Sequence, residues 1–129
     1  MDTIANMLIS MKNGSAVSKE KVVVPFSNMK YAIAQCLEKS GFIVGASKKT
    51  EKKNSSVLEI TLSYPDGAAK IHDVKRLSKP SRRVYMRTRD LRSVKNGHGV
   101  VVLSTPKGIL SDKEARKEQV GGEALFMMW

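Results

Sequence analysis

Apolar residues near the start of the chain recur at Ile4, Met7, Leu8 and Met11, the i, i+3, i+4, i+7 spacing of one helical stripe. The spacing predicts a helix over residues 2–13, with Asp2 or Thr3 able to cap its start and Gly14 as a left-handed terminator. Val22-Val23-Val24 predicts a short β-branched strand closed by Pro25. Ser27 is placed to cap a second helix running to about Ser40, with the stripe Met29, Ile33, Cys36 and Leu37 and a stop at Gly41. Phe42 to Ala46 predicts a strand, and the polar, lysine-rich Lys48 to Ser55 a hairpin loop. Leu58, Ile60, Leu62 and Tyr64 then alternate with Val57, Glu59, Thr61 and Ser63, the period of a half-buried strand. The first half is therefore α-β-α-β-β, two helices on a small sheet.

Pro65-Asp66-Gly67 is a turn and the expected boundary between a lobe at 1–66 and a lobe at 67–129. Beyond it, Ile71 to Leu77, Arg83 to Met86 and Val100 to Leu103 predict short strands separated by basic loops. Ser111-Asp112-Lys113-Glu114 has the form of a capping box, opening a short helix to about Glu118. Gly121-Gly122 ends that region, and Glu123 to Trp129 predicts a final apolar strand. The fold class is α/β, of the α+β kind, in two small lobes; the second is mostly β with one short helix.

At 129 residues and 41% apolar content, the chain is long enough to bury a core. Cys36 is the only cysteine, which excludes an internal disulfide and fits a reducing compartment. Its place on the second helical stripe reads as core packing rather than as a reactive thiol. No stretch approaches the roughly 18 apolar residues of a membrane span. The start Met1-Asp2-Thr3 has no signal-peptide character. A cytoplasmic protein, or one made inside an organelle, is expected.

Charge changes the picture most. The formal net charge is +11 and the pI is near 10.0, which points to a polyanionic partner. Nine basic and six acidic side chains fall in residues 1–66, a net of +3, against fourteen and six in residues 67–129, a net of +8. Lys70 to Lys95 holds ten basic residues, six of them arginines, against Asp73 and Asp90. Arginine's planar fork donates two parallel hydrogen bonds to a phosphate and also stacks on bases. A surface built only for solubility mixes both signs, so this window argues for nucleic acid. The loop lysines Lys48, Lys49, Lys52 and Lys53 fit contact or plain solvation equally well. Phosphate contacts give affinity but little sequence information. The candidate for specificity is Ser104-Thr105-Pro106-Lys107-Gly108, whose hydroxyls could read a ribose 2′-OH or a base edge. On its own, such a segment is more often an ordinary turn.

Catalysis finds no support. His72 and His98, the only histidines, have no ligand or nucleophile at a recognisable spacing, and the HExxH, CxxC and GxxxxGK[ST] patterns do not occur. Asp and Glu are scattered, with no pair suited to acid–base work. No enzyme, metal, cofactor or small-molecule substrate is expected. A peripheral membrane role would want an amphipathic helix with a cationic face, and neither helix of the first lobe has one.

Six ordered segments resemble the family of the eighth protein of the small ribosomal subunit, in its bacterial and organellar form. They are Asp2-Thr3-Ile4-Ala5-Asn6-Met7-Leu8 running on to Lys12-Asn13-Gly14; Pro25-Phe26-Ser27; Arg76-Leu77-Ser78-Lys79-Pro80 with Arg83-Val84-Tyr85; Gly97-His98-Gly99-Val100; Ser104 to Asp112; and Gly121-Gly122-Glu123. The resemblance spans essentially the whole chain. It implies a structural protein that binds the central domain of small-subunit ribosomal RNA during assembly, beside neighbouring small-subunit proteins. It also implies a principal contact through Ser104, Thr105, Lys107 and Gly108, supported by Tyr85 and Glu123. The resemblance also implies that Asn13, Ser27 and Lys30 would touch RNA from the first lobe; from the basic window, Lys79, Arg82 and Arg83 would add phosphate contacts, Arg82 as compensation for Pro106. An RNA-binding module outside the ribosome, such as a translational repressor, is the alternative.

Pro106 departs from the family, which usually has Ser there. Proline removes a hydroxyl and a backbone N–H but stiffens the segment. For Tyr85, between Val84 and Met86, the other reading is core packing. For Glu123 it is a surface charge at a strand start; as a functional group it would orient the hydroxyls of Ser104 or Thr105, or accept from a base amino group. Met127, Met128 and Trp129 read as core or chain-end packing.

Overall fold

The computed structural model describes residues 3–52, 55–91 and 99–129. The Asp2 cap, Lys53 of the lysine loop, Arg92 and Lys95 of the basic window and the turn Asn96-Gly97-His98 lie outside the described residues. The chain forms two compact units, Thr3–His72 and Asp73–Trp129, each combining helix with antiparallel sheet. The turn at Pro65–Gly67, a single 3-10 turn, lies inside the first unit.

In the first unit α1 (Thr3–Ala16), β1 (Lys21–Pro25), α2 (Asn28–Lys39), β2 (Ile43–Lys52) and β3 (Ser55–Leu62) follow the α-β-α-β-β order. The sheet order is β1-β3-β2, antiparallel throughout. Leu58, Ile60 and Leu62 are buried while Val57, Glu59 and Thr61 are half-buried, so the alternation seen in the sequence is the pleat of β3. The helical stripe Ile4, Met7, Leu8 and Met11 is buried as well. Ser27 caps α2, its hydroxyl accepting from the Lys30 N–H at 3.1 Å, and Gly41 takes φ +82 just past the helix end. Cys36 is buried.

Two expectations for this unit need correcting. Gly14 does not end α1. The helix runs on to Ala16, and Gly14 lies buried inside it, where an added Cβ would sit 2.6 Å from Val22 Cγ1. Its small size lets α1 approach β1; the left-handed residue is Ser18, at φ +58. The lysine loop is also shorter than expected. β2 reaches Lys52 and β3 begins at Ser55, so Lys48 and Lys49 are strand residues, paired with Leu58 and Val57. Lys48 Nζ sits 4.6 Å from the Phe26 ring centroid, a cation–π contact.

The second unit contains β4 (Val74–Arg76), β5 (Tyr85–Met86), β6 (Val100–Thr105), β7 (Gly108–Ser111), α3 (Asp112–Glu118) and β8 (Gly122–Met128). Its strand order is β4-β8-β6-β7, with β5 also paired to β8. β4 and β5 therefore share one edge of β8, end to end: β4 pairs Phe126–Met128 and β5 pairs Gly122–Glu123. Leu91, Val101, Leu103, Ala115 and Ala124 form a core under α3. The Ser111 capping box is present in full. The next residue fastens the helix to the sheet: Asp112, 4% exposed, accepts from the Val101 N–H at 3.2 Å and pairs with Arg116 at 2.9 Å. Among the described residues no helix is long and apolar enough to cross a membrane.

The expected strands at 71–77 and 83–86 shrink to Val74–Arg76 and Tyr85–Met86, because between them the chain leaves the sheet. His72 is exposed and outside any strand. α3 ends at Gln119, which takes φ +57, and Gly122 already belongs to β8. β7 was not expected; Gly108–Ser111 is too short to show a period.

Candidate nucleic-acid interface

Three residues singled out from sequence stand in one row across three strands. On β8, Glu123 is opposite Tyr85 of β5 on one side and Ser104 of β6 on the other. Directly opposed residues of antiparallel strands share a face, so Tyr85, Glu123 and Ser104 share one surface. Tyr85 is 71% exposed, which removes the core-packing reading and leaves its ring and hydroxyl open to a partner.

Ser104 to Gly108 is not a loop but the tip of a two-residue hairpin. Thr105 pairs with Gly108, leaving Pro106-Lys107 as the turn. Proline is preset for such a corner, and Gly108 takes φ +109, a region that favours glycine. The Thr105 hydroxyl accepts from the Lys107 N–H at 3.1 Å and donates to the Gly108 carbonyl at 2.8 Å, fastening the turn. Lys107 Nζ lies 3.2 Å from Glu118, an exposed pair of little energetic weight.

On the other side of the row the chain makes an excursion over residues 77–84. β8 carries a bulge: Val102 pairs with Phe126 and Leu103 with Ala124, so Leu125 is the extra residue. Its carbonyl accepts from the N–H groups of Leu77 at 3.2 Å and Ser78 at 3.3 Å and from the Arg76 guanidinium. The excursion returns where the Ala124 N–H donates to the Val84 carbonyl at 2.9 Å. Its tip is a tight turn in which Lys79 and Arg82 exchange backbone hydrogen bonds of 2.8 and 3.0 Å. Lys79, Arg82 and Arg83 are all exposed.

Glu123 joins the two halves. Its Oε2 accepts from the Ser78 hydroxyl and, at 3.1 Å, from the Arg83 guanidinium. The Ser78 hydroxyl bond, then the Arg83 bond and the Arg83 and Arg76 charges, hold the Glu123 carboxyl below its usual range, while partial burial works the other way. The carboxylate is therefore ionised at neutral pH. It orients Ser78 and Arg83, not the hydroxyls of Ser104 or Thr105 as expected. Among the described residues, no group of three His, Cys, Asp or Glu side chains could hold a metal ion.

The sequence matches the family model described as Ribosomal protein S8 over residues 2–129. The chain belongs to the ribosomal protein S8 family. It is 43% identical to the small ribosomal subunit protein uS8 of Syntrophus aciditrophicus, across 99% of this chain and 97% of that protein. The uS8 of Mycoplasmopsis pulmonis is 43% identical over 99% of this chain and 96% of its own length. That of Nitrobacter hamburgensis is 41% identical over 99% and 97%. Family members are proteins of the small ribosomal subunit.

The remaining residues implied by the S8 resemblance belong to the first unit. Asn13 is exposed on α1. Ser27 spends its hydroxyl on the α2 cap. Lys30 is 6% exposed, with Nζ donating to the Pro25 carbonyl at 3.1 Å.

Residues that sequence reasoning left without a role also build the surface. Ser78, Gly121 and Gly122 all lie in segments that carry the S8 resemblance, but only the fold says what each does. An added Cβ would lie 2.3 Å from the Met86 carbonyl at Gly121 and 2.1 Å from the Ser104 carbonyl at Gly122. The two glycines let β5 and β6 close on β8 beside Glu123. The sequence signal was the adjacent glycine pair itself, which marks close backbone approach.

Proposed function

We propose that the chain is a structural component of the small ribosomal subunit that binds the central domain of small-subunit ribosomal RNA and supports its assembly. It acts by shape-selective binding, without turnover, in the cytoplasmic ribosome and beside other small-subunit proteins. The second unit, Asp73–Trp129, supplies the principal contact.

The observation that carries this reading is the row Tyr85–Glu123–Ser104, bordered by the β6–β7 hairpin on one side and the basic turn Lys79–Arg83 on the other. Cations at one border hold phosphates. The hairpin presents Ser104, Thr105 and Gly108 where a ribose or base edge can approach closely. The exposed Tyr85 ring offers a stacking face of the kind that single-stranded or splayed bases use. A double-stranded stem alone would have little use for that ring, whereas an irregular helical junction would. Asn13, exposed on α1, would add a smaller contact from the first lobe; Lys30, buried against the Pro25 carbonyl, and Ser27, engaged in the α2 cap, serve the fold instead.

The test is co-sedimentation with small subunits at high magnesium, joined to gel-shift titration against a central-domain RNA fragment. Binding to that fragment with discrimination against a plain RNA duplex is expected. A chain that sediments free of subunits, or binds both RNAs equally, would overturn the reading.

A further inference from the structure

Ser78 is fully buried, yet its side chain is polar. A buried hydroxyl needs partners, and this one has two of different kinds. Its oxygen accepts from the Val84 N–H at 3.2 Å and its proton goes to Glu123 Oε2. The first bond joins residues 78 and 84, the two ends of the excursion that carries Lys79, Arg82 and Arg83. The second ties those ends to the carboxylate at the centre of the Tyr85–Glu123–Ser104 row. Backbone bonds to Leu125 and Ala124 on β8 and the packing of Leu77 and Val84 on the core also hold the neck of the loop.

We propose that Ser78 is a positioning residue for RNA binding: its hydroxyl closes the neck of the 78–84 loop and sets the basic turn at a fixed distance from Glu123 and Tyr85, so that phosphate and base contacts are made together. This inference rests on the ribosomal RNA reading above. Only a group that both donates and accepts can make the two bonds at once. Alanine would leave the Val84 N–H without its partner and take one donor from Glu123. The Arg83 guanidinium would then be the remaining side-chain donor to that oxygen, and it would be drawn inward, away from a phosphate. The charged or titratable groups facing Glu123 are Arg76, Arg83 and Tyr85.

The experiment uses the full chain and a central-domain RNA fragment at fixed salt. Ser78→Ala should lower affinity by up to about 25-fold, the scale of two lost hydrogen bonds at about fivefold each, while circular dichroism stays that of the parent. The Glu123 carboxyl, followed by NMR, should titrate at higher pH in the variant. Ser78→Ala combined with Glu123→Gln should bind little worse than the weaker single variant, because both act on one contact. If Ser78→Ala does not fold, Ser78→Cys, similar in size but a poor hydrogen-bonding group, carries the same three readouts. Parental affinity in the folded variant, or losses that multiply fully in the double variant, would overturn the inference while the RNA reading stands. A parent chain that fails to bind the fragment would remove both.

Discussion

Gly122 presses its Cα against the backbone of Ser104: a Cβ added there would lie 2.1 Å from the Ser104 carbonyl oxygen and 3.0 Å from Thr105 Cα. The obstructing atoms are backbone, so no side chain can swing aside. Gly122→Ala should therefore push β6 from β8 and destabilise the chain by about 1–3 kcal/mol, the usual range for overpacking. Urea denaturation measures it. RNA affinity should fall as well, since the displaced strand carries Ser104. A midpoint equal to that of the parent would show that the strands yield more easily than this.

The two hydroxyls of the hairpin should behave differently. That of Thr105 closes the turn through Lys107 and Gly108, whereas that of Ser104 stands on the open row. Thr105→Ala should loosen the hairpin and weaken binding, and Thr105→Ser, which keeps the hydroxyl, should restore most of it. Ser104→Ala should leave the thermal midpoint alone and cost about fivefold in affinity, one hydrogen bond's worth. Gel-shift titration and thermal melts on the three variants separate the roles.

Glu123 links stability to acidity. Its carboxyl is held below the ordinary value of 4.5, so the folded state favours the ionised form. The resulting stabilisation is fully present above the ordinary value and is lost as pH falls through the depressed one. Glu123→Gln should therefore be less stable than the parent at neutral pH. The gap should narrow as the pH drops below about 4.5 and should close in stronger acid. Paired denaturation curves between pH 7 and pH 2 test the sign; a gap that widens on acidification would reject it.

Arg82 is exposed at the tip of the basic turn, beside Arg83, which shares itself with Glu123. Arg82→Gln should reduce the slope of log affinity against log salt by up to about one, the effect of one lost phosphate contact. The mid-transition stability should not change. Titrations at several salt concentrations give the slope directly, and an unchanged slope would place Arg82 away from the phosphates.

Local pattern made much of this molecule legible. The Ile4–Met7–Leu8–Met11 stripe, the β3 alternation and the caps at Ser27 and Ser111 involve residues within a few positions of one another, and all four hold in the fold. Gly14 was misread because a glycine after a helical stripe has two meanings. Here the packing of Val22 decides, and that contact is invisible to periodicity. β7 escaped because four residues cannot display a period of two convincingly. At the site, sequence supplied Tyr85, Glu123 and Ser104 but not their alignment, which depends on pairing between distant strands. Ser78 and Glu123 are 45 residues apart, so nothing local could have joined them.

The end-to-end placement of β4 and β5 along β8 bears on how the free protein meets other copies of itself. An open sheet edge invites strands from other molecules. Here the edge of β8 is divided between strands of three residues and two residues, and the gap between them is filled by a turn bearing lysine and arginines. A second copy approaching that edge meets too short a run of free backbone to pair with, and it meets like charge. The interruption that carries the proposed RNA-binding cations would thereby also blunt this edge of the sheet against strands from other copies.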